Sequence, residues 1–125
     1  MYVIEQPAPA ATPIPGIRHA TWAGAAEGLA SISLWRQSID PGGATPPHSH
    51  PCDEVVLCLA GQGEVHVDGV AHPFAAHQTV ILPAGVPHQI FNTGEVPLEC
   101  TAVFGATPVP VALPDGSPLD LPWRS

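Results

Sequence analysis

Residues 42–54 read GGATPPHSHPCDE, and the spacing of the polar side chains in this stretch is the most informative pattern in the sequence. Its two histidines, His48 and His50, are two positions apart, so in an extended chain both imidazoles project from one face, about 6 to 7 Å apart. Glu54 follows a bend at Pro51 and places a carboxylate at the start of the next strand. The spacing predicts that these three side chains bind one metal ion.

A fourth candidate ligand, His88, lies in a second stretch, residues 83–92, which reads PAGVPHQIFN. A turn of proline and glycine ends there, and His88 opens another strand. Imidazole and carboxylate ligands together suit a divalent transition metal, namely Fe, Mn, Ni, Co, Cu or Zn. The expected cofactor is therefore one such ion on His48, His50, Glu54 and His88, and the pattern leaves its identity open.

The rest of the chain is punctuated by 17 prolines and 12 glycines, and no segment keeps a helical apolar period beyond about two turns. A turn is predicted at residues 24–28. Strands are predicted at 32–40, 54–59, 64–67, 79–82, 88–92 and 98–104. Short strands at this spacing predict an all-β barrel or sandwich.

The length of 125 residues corresponds to one domain with a single core. Residues 1–16 are rich in proline and are predicted to form an extended arm, which could lie along a partner subunit. Residues 17–106 are predicted to form the barrel, and the proline-rich residues 107–125 an extended tail packed on it. A homodimer is expected.

Charge and composition exclude several function classes. Only 3 lysine and arginine residues stand against 11 acidic residues, for a net charge of −8, so neither nucleic acid nor an anionic membrane is an expected partner. No lysine is present, which excludes a lysine Schiff base. The N-terminus lacks the pattern of a secretory signal, and the three cysteines lack C-x-x-C spacing, so reduced thiols and a cytoplasmic location are expected.

Two spaced motifs resemble those of the cupin superfamily, Gly42-x5-His48-x-His50-x3-Glu54-x6-Gly61 and Pro83-x-Gly85-x2-His88-x3-Asn92. The short spacer between them is similar to that of small single-domain members of the type 2 conserved-barrel group. The resemblance implies a double-stranded β-helix barrel of jelly-roll type, commonly dimeric, with three histidines and one glutamate facing one metal. Where the second motif usually opens with glycine, this chain has His77, and a turn can still form there because histidine tolerates positive φ better than most side chains.

The other singled-out side chains receive structural interpretations. Cys58 shares strand parity with Glu54 and should face the interior, and Arg36 is interpreted as a surface charge, with binding of a substrate carboxylate as its alternative. Cys52 is expected to pack in the bend. We expect core or pocket-wall positions for Trp35, Phe91 and Phe104, and outward, loop or surface positions for His66, His72, His19 and His77.

An ion with four protein ligands keeps open positions for a small-molecule substrate, so the site predicts a capacity for catalysis. The resemblance favours an oxidoreductase of dioxygenase type acting on an enolic or aromatic substrate, with Glu54 doubling as a catalytic base. One alternative is a redox-neutral isomerase, lyase or cyclase that uses the ion as a Lewis acid. The other is a module that binds a metal or small ligand without turnover.

Overall fold

The computed structural model describes residues 2–125, and the chain folds as an all-β, double-stranded β-helix barrel of jelly-roll type. One short 3-10 helix, Ala25–Glu27, interrupts the strands of this part of the chain. The strands are β1 Ala10–Ala11, β2 Ile17–Ala23, β3 Ser33–Ile39, β4 Glu54–Ala60, β5 Gln62–Val67, β6 Val70–Ala75, β7 Thr79–Leu82, β8 Gln89–Asn92 and β9 Leu98–Phe104.

The strands form two antiparallel sheets that enclose the core. The larger sheet has the order β1-β2-β3-β9-β4-β7, and the smaller one has the order β6-β5-β8. Side chains along each strand alternate between the core and the outer face, as β9 shows. Its inward positions are buried and the residues between them are half-buried; the buried residues are Leu98, Cys100, Ala102 and Phe104. The interior is filled by apolar side chains, among them Ile17, Trp35, Ile39, Val56, Val65, Phe74, Leu82, Ile90 and Phe104.

Two residues of the sequence motifs stabilise the backbone where strands end. Gly61 joins β4 to β5 at a φ of 86°, and a Cβ there would lie 2.7 Å from the carbonyl oxygen of Pro97. Asn92 is buried, and its Nδ2 donates to the carbonyl oxygens of Ile39 and Val96, both at 2.9 Å. These positions hold the ends of strands together, while the motif histidines point to the interior.

The strand predictions agree with the structure at β7 and β9 and lie within two residues of the observed bounds at β3, β4, β5 and β8. The sequence missed β1, β2 and β6. The expectation that His72 lies in a loop is wrong, because it is in β6, paired with Val65. Phe91 is also misassigned to the core, because it is half-buried on the outer side of β8, beside the His66 ring at 4.4 Å. His77 adopts a φ of 72° in the turn before β7.

The proline-rich ends of the chain lie against the strands. In the N-terminal segment, β1 pairs with β2, and Pro7 accepts a hydrogen bond from Trp22 Nε1 at 2.9 Å. In the C-terminal segment Val109 and Val111 are buried, and Leu119, Leu121 and Trp123 pack against the core. The division into an arm, a barrel and a tail at residues 16 and 106 stays a prediction.

Candidate metal centre

The histidines of the two motifs meet inside one end of the barrel. His48 and His88 are paired across an antiparallel bridge, in which each backbone N–H donates to the other's carbonyl oxygen, at 3.0 and 2.8 Å. His50 follows His48 on the same face, and one ring nitrogen from each of the three side chains lies within 4.8 Å of the others. The structure thus places three predicted ligands around one point.

Each of the three imidazole rings is oriented by a backbone carbonyl. His48 Nδ1 lies 2.6 Å from the Pro46 oxygen, His50 Nδ1 2.9 Å from the Pro110 oxygen, and His88 Nδ1 2.9 Å from the Val86 oxygen. A carbonyl only accepts, so each Nδ1 carries the proton and donates. In the neutral ring the Nε2 lone pair is then left to the interior, which is the arrangement that metal-binding histidines use.

Glu54 completes the cluster from the first position of β4. Its Oε1 lies 3.4 Å from His50 Nε2 and 3.3 Å from His88 Nε2, and its side chain is buried. Oε1 and both of those Nε2 atoms are buried without a hydrogen-bond partner. Buried acceptor atoms in a purely structural core normally have a hydrogen-bond donor, and these three converging atoms have none. A bound cation would satisfy all three.

Electrostatics at the cluster favour neutral rings at two of the three positions. Burial, with the nearby His88 acting in the same direction, lowers the pKa of His48 to about 4. Burial also lowers the pKa of His50, against the opposing charge of Glu54. At His88 burial again lowers the pKa, but the Glu54 carboxylate, 3.3 Å from its Nε2, outweighs this effect and raises the pKa above the ordinary value. The carboxylate thus attracts positive charge, whether a proton or a metal ion, to this point.

Two small cavities adjoin the cluster. The inner one, about 40 Å³, is bounded by the histidines, Glu54 and apolar side chains such as Val56, Ile90 and Phe104. The outer one, about 50 Å³, is closed by Ile14 from the N-terminal segment and by Leu119, Leu121 and Trp123 from the C-terminal segment. The two cavities share Trp35, Gln37, Thr45, His48 and His50.

Few ionisable groups reach this space. Cys100 lines the inner cavity, and burial raises its pKa to about 12, so its thiol is protonated and unreactive. Arg36 lines neither cavity; its side chain is only 17% exposed and pairs with Glu99 at 2.6 Å, so it is a largely buried ion pair and not a free surface charge. Among residues 2–125, Glu54 is the only acidic or basic side chain besides histidine that lines the inner cavity.

Sequence reasoning missed part of the surrounding wall. His19, expected at the surface, is buried and stacks on Trp123 with ring centroids 4.0 Å apart. Strand parity with Trp35 could have found Gln37. No sequence signal could have found Trp123, because an irregular segment carries no period from which its contacts follow.

Comparisons with known proteins agree with the barrel fold. A family model described as "Cupin domain" matches residues 35–104. Auxin-binding protein 1 of Arabidopsis thaliana is 30% identical over 107 residues, 78% of this chain and 54% of the relative. Auxin-binding protein T85 of Nicotiana tabacum is 34% identical over 112 residues, 80% of this chain and 60% of the relative. The chain therefore spans a little over half the length of these curated relatives.

Solved structures show the same architecture. An oxalate oxidase superimposes with a TM-score of 0.70 at 25% identity, covering 82% of this chain and 57% of that one. The polyketide cyclase RemF from Streptomyces resistomycificus superimposes with a TM-score of 0.72 at 20% identity, covering 87% and 83%, and this likeness concerns the fold alone. Within residues 2–125, no helix has the length and apolar character needed to cross a membrane.

Proposed function

This chain belongs to the cupin domain family, and we propose on that basis that it binds one divalent transition metal ion on His48, His50, Glu54 and His88, and a small organic acid on that ion. The observation that carries the proposal is the set of three Nε2 atoms, each freed by an Nδ1 hydrogen bond to the backbone. Glu54 supplies the negative charge that a divalent cation requires. The candidate ions are Fe, Mn, Ni, Co, Cu and Zn.

The surroundings support a small, flat, weakly polar ligand. When bound, the ion supplies Lewis acidity at its open positions. Val56, Ile90 and Phe104 exclude water there, and Trp35 provides an aromatic wall shared by both cavities. The names of the relatives point the same way, since auxin and oxalate are both small organic acids.

The first candidate activity is oxygen-dependent oxidation of such an acid, or of a related enolic or aromatic compound. The likeness to an oxalate oxidase favours it. In this activity Glu54 acts as the base, because its Oε1 lies at the cluster and no other carboxylate among residues 2–125 lines the inner cavity. The histidines hold the centre in place, and the apolar wall keeps water away from it.

The second candidate is binding without turnover, with redox-neutral Lewis-acid chemistry as a further possibility. A specific observation favours binding alone: apart from Glu54 and the histidines, the inner cavity is lined by apolar or neutral groups that transfer no proton at neutral pH. The relatives named as auxin-binding proteins favour it as well.

One set of measurements separates these candidates. The protein is purified anaerobically, loaded in turn with each candidate ion, and tested for thermal stabilisation by oxalate, phenylacetate and catechol and then for oxygen uptake with them. Ligand-dependent stabilisation with oxygen uptake supports the oxidase, and a product formed without oxygen supports the Lewis-acid reaction. Stabilisation without turnover supports the binding module, and no stabilisation by any acid in any metal form contradicts the proposal.

Two further expectations accompany this function. The proline-rich ends and the family favour a homodimer, and the reduced cysteines Cys52, Cys58 and Cys100 favour a cytoplasmic location. We propose both. Light scattering after size-exclusion chromatography tests the dimer, and a monomeric mass at micromolar concentration would contradict it.

A further inference from the structure

A chain of hydrogen bonds runs from the cavity wall to the C-terminal segment. Gln37 Nε2 lies 3.0 Å from His19 Nδ1, and His19 Nε2 lies 2.7 Å from Thr21 Oγ1. Thr21 Oγ1 in turn contacts the backbone carbonyl oxygen of Arg124 at 2.5 Å. One end of this series of hydrogen bonds therefore borders both cavities, and the other end is the backbone carbonyl of Arg124 in the C-terminal segment.

The carbonyl at the end of the chain fixes the direction of every bond in it. The Arg124 oxygen only accepts, so the hydroxyl of Thr21 donates to it, and Thr21 Oγ1 can then only accept from His19. His19 Nε2 therefore carries the ring proton. In a neutral imidazole the other nitrogen, Nδ1, is then an acceptor, and Gln37 must donate to it through Nε2.

His19 is held in the neutral form. Its side chain is buried between Trp35, at a centroid distance of 5.1 Å, and Trp123 at 4.0 Å. Burial, helped by the charge of Arg124, lowers the pKa of His19 to about 4. The ring therefore has a single proton at neutral pH.

These hydrogen bonds determine how the side-chain amide of Gln37 is oriented. With Nε2 directed to His19, the orientation of the amide is fixed, and no hydrogen bond within residues 2–125 is made to its Oε1. Gln37 lines both cavities together with His48 and His50. The wall beside the metal centre thus offers an acceptor oxygen, whereas the flipped amide would offer a donor.

We propose that Gln37 Oε1 selects ligands that carry a hydroxyl or N–H donor beside the acid group, and that His19, Thr21 and the Arg124 carbonyl are positioning groups that set this preference. The preferred class is then a hydroxy acid or a related compound in place of a simple carboxylic acid. This inference rests on the proposed binding of an organic acid at the metal centre. The C-terminal segment therefore influences ligand choice, because the Arg124 carbonyl determines the direction of every hydrogen bond between it and Gln37.

The first test is a direct reading of the His19 tautomer. Nitrogen NMR of the zinc-loaded protein at pH 7 should show His19 protonated at Nε2. In Thr21→Val, which removes the acceptor for that proton at similar side-chain volume, the proton should move to Nδ1. Protonation at Nδ1 in the unaltered protein overturns the inference, because Gln37 would then turn its NH2 group to the cavity.

The second test measures selectivity with glycolate and acetate, which differ by one hydroxyl group and are small enough for the space beside the centre. The ratio of their affinities for zinc-loaded protein is measured by calorimetry in the unaltered chain, Gln37→Leu, Thr21→Val and Thr79→Val, an exposed threonine on β7. Chelation of the ion by the hydroxyl raises the ratio in every variant alike. The Gln37 contribution, about five- to tenfold, should disappear in Gln37→Leu and Thr21→Val and persist in Thr79→Val.

The possible outcomes separate this inference from the proposed function. If both acids bind and the ratio is the same in all four proteins, the inference fails while the metal-bound acid stands. If neither acid binds the loaded protein, the proposed function fails and the selectivity inference fails with it. A ratio that falls in Thr21→Val without a change of the His19 tautomer also contradicts the hydrogen-bond argument.

Discussion

At the scale of single residues, the centre depends on where each histidine keeps its proton. The Nδ1 atoms of His48, His50 and His88 are bonded to backbone carbonyls, so the Nε2 lone pairs converge with Glu54 Oε1 in a buried space. Leaving a buried polar atom without a partner costs about 1–3 kcal/mol. A bound cation satisfies these atoms together, so metal binding should stabilise the fold.

The carboxylate makes a separate, testable contribution. In Glu54→Gln the side-chain shape is kept and the negative charge is lost, so we expect the affinity for Zn²⁺ or Mn²⁺ to fall by roughly tenfold or more, with little change in apo stability. Competition with a chromophoric chelator measures the affinity. The control is Glu64→Gln, whose side chain is about 37% exposed beside His66. Equal losses in both variants would contradict the role of Glu54.

At the scale of strands and turns, the motifs also hold the backbone. Gly61→Ala should destabilise the protein by about 2–3 kcal/mol, because the position combines a φ of 86° with a Cβ only 2.7 Å from the Pro97 oxygen. Gly69→Ala is the matched control, with a φ of 75° and no atom within 4 Å of the added Cβ, and should cost only about 1 kcal/mol. Urea denaturation measures both, and equal losses would refute the close contact.

His19, which lies on β2 against the C-terminal segment, should make the stability of the protein depend on pH. As the pH falls, the unfolded His19 takes up a proton near its ordinary pKa of 6.5, whereas the folded one resists until about 4. Between these values the unfolded state binds more protons, so this contribution to stability decreases as the pH falls from 6.5 to 4.

The measurement is the urea unfolding free energy from pH 7 to pH 4 in His19→Phe, which keeps an aromatic ring against Trp123. The loss of stability on acidification should be smaller in this variant than in the unaltered protein. The control His72→Phe, at an exposed position on β6, should leave the loss unchanged. The same pH dependence in all three proteins would show that His19 is not the group responsible.

The strands that the sequence predicted are those with clear alternation between glycine or proline breaks, such as Leu98–Phe104. Val70–Ala75 was missed because Pro73 lies within it and only Phe74 is buried. Ile17–Ala23 was missed because its inward positions include His19 and Thr21, which have no apolar signature. Strand parity and motif spacing were enough to predict that His48, His50, Glu54 and His88 lie close together. The buried contacts of the C-terminal segment could not be predicted in this way, because they depend on tertiary packing.

At the scale of the whole molecule, both ends of the chain close the barrel mouth. Ile14 lies on one side of the outer cavity, and Leu119, Leu121 and Trp123 lie on the other. The ligand space is therefore made by segments far apart in sequence, and its polarity is tied to the Arg124 carbonyl through Thr21 and His19. A stable metal centre should stabilise this arrangement as one unit, by an amount that rises with the logarithm of the ratio of free ion concentration to the dissociation constant.

The most direct test of the metal centre is the metal content of the purified chain by elemental mass spectrometry, compared between the unaltered protein, His50→Ala and His66→Ala. We expect close to one transition metal ion per chain in the unaltered protein and in His66→Ala, because His66 lies on β5 beside Glu64 and away from the cluster. His50→Ala should lose most of the ion. Equal occupancy in the two variants would contradict the assignment of the centre.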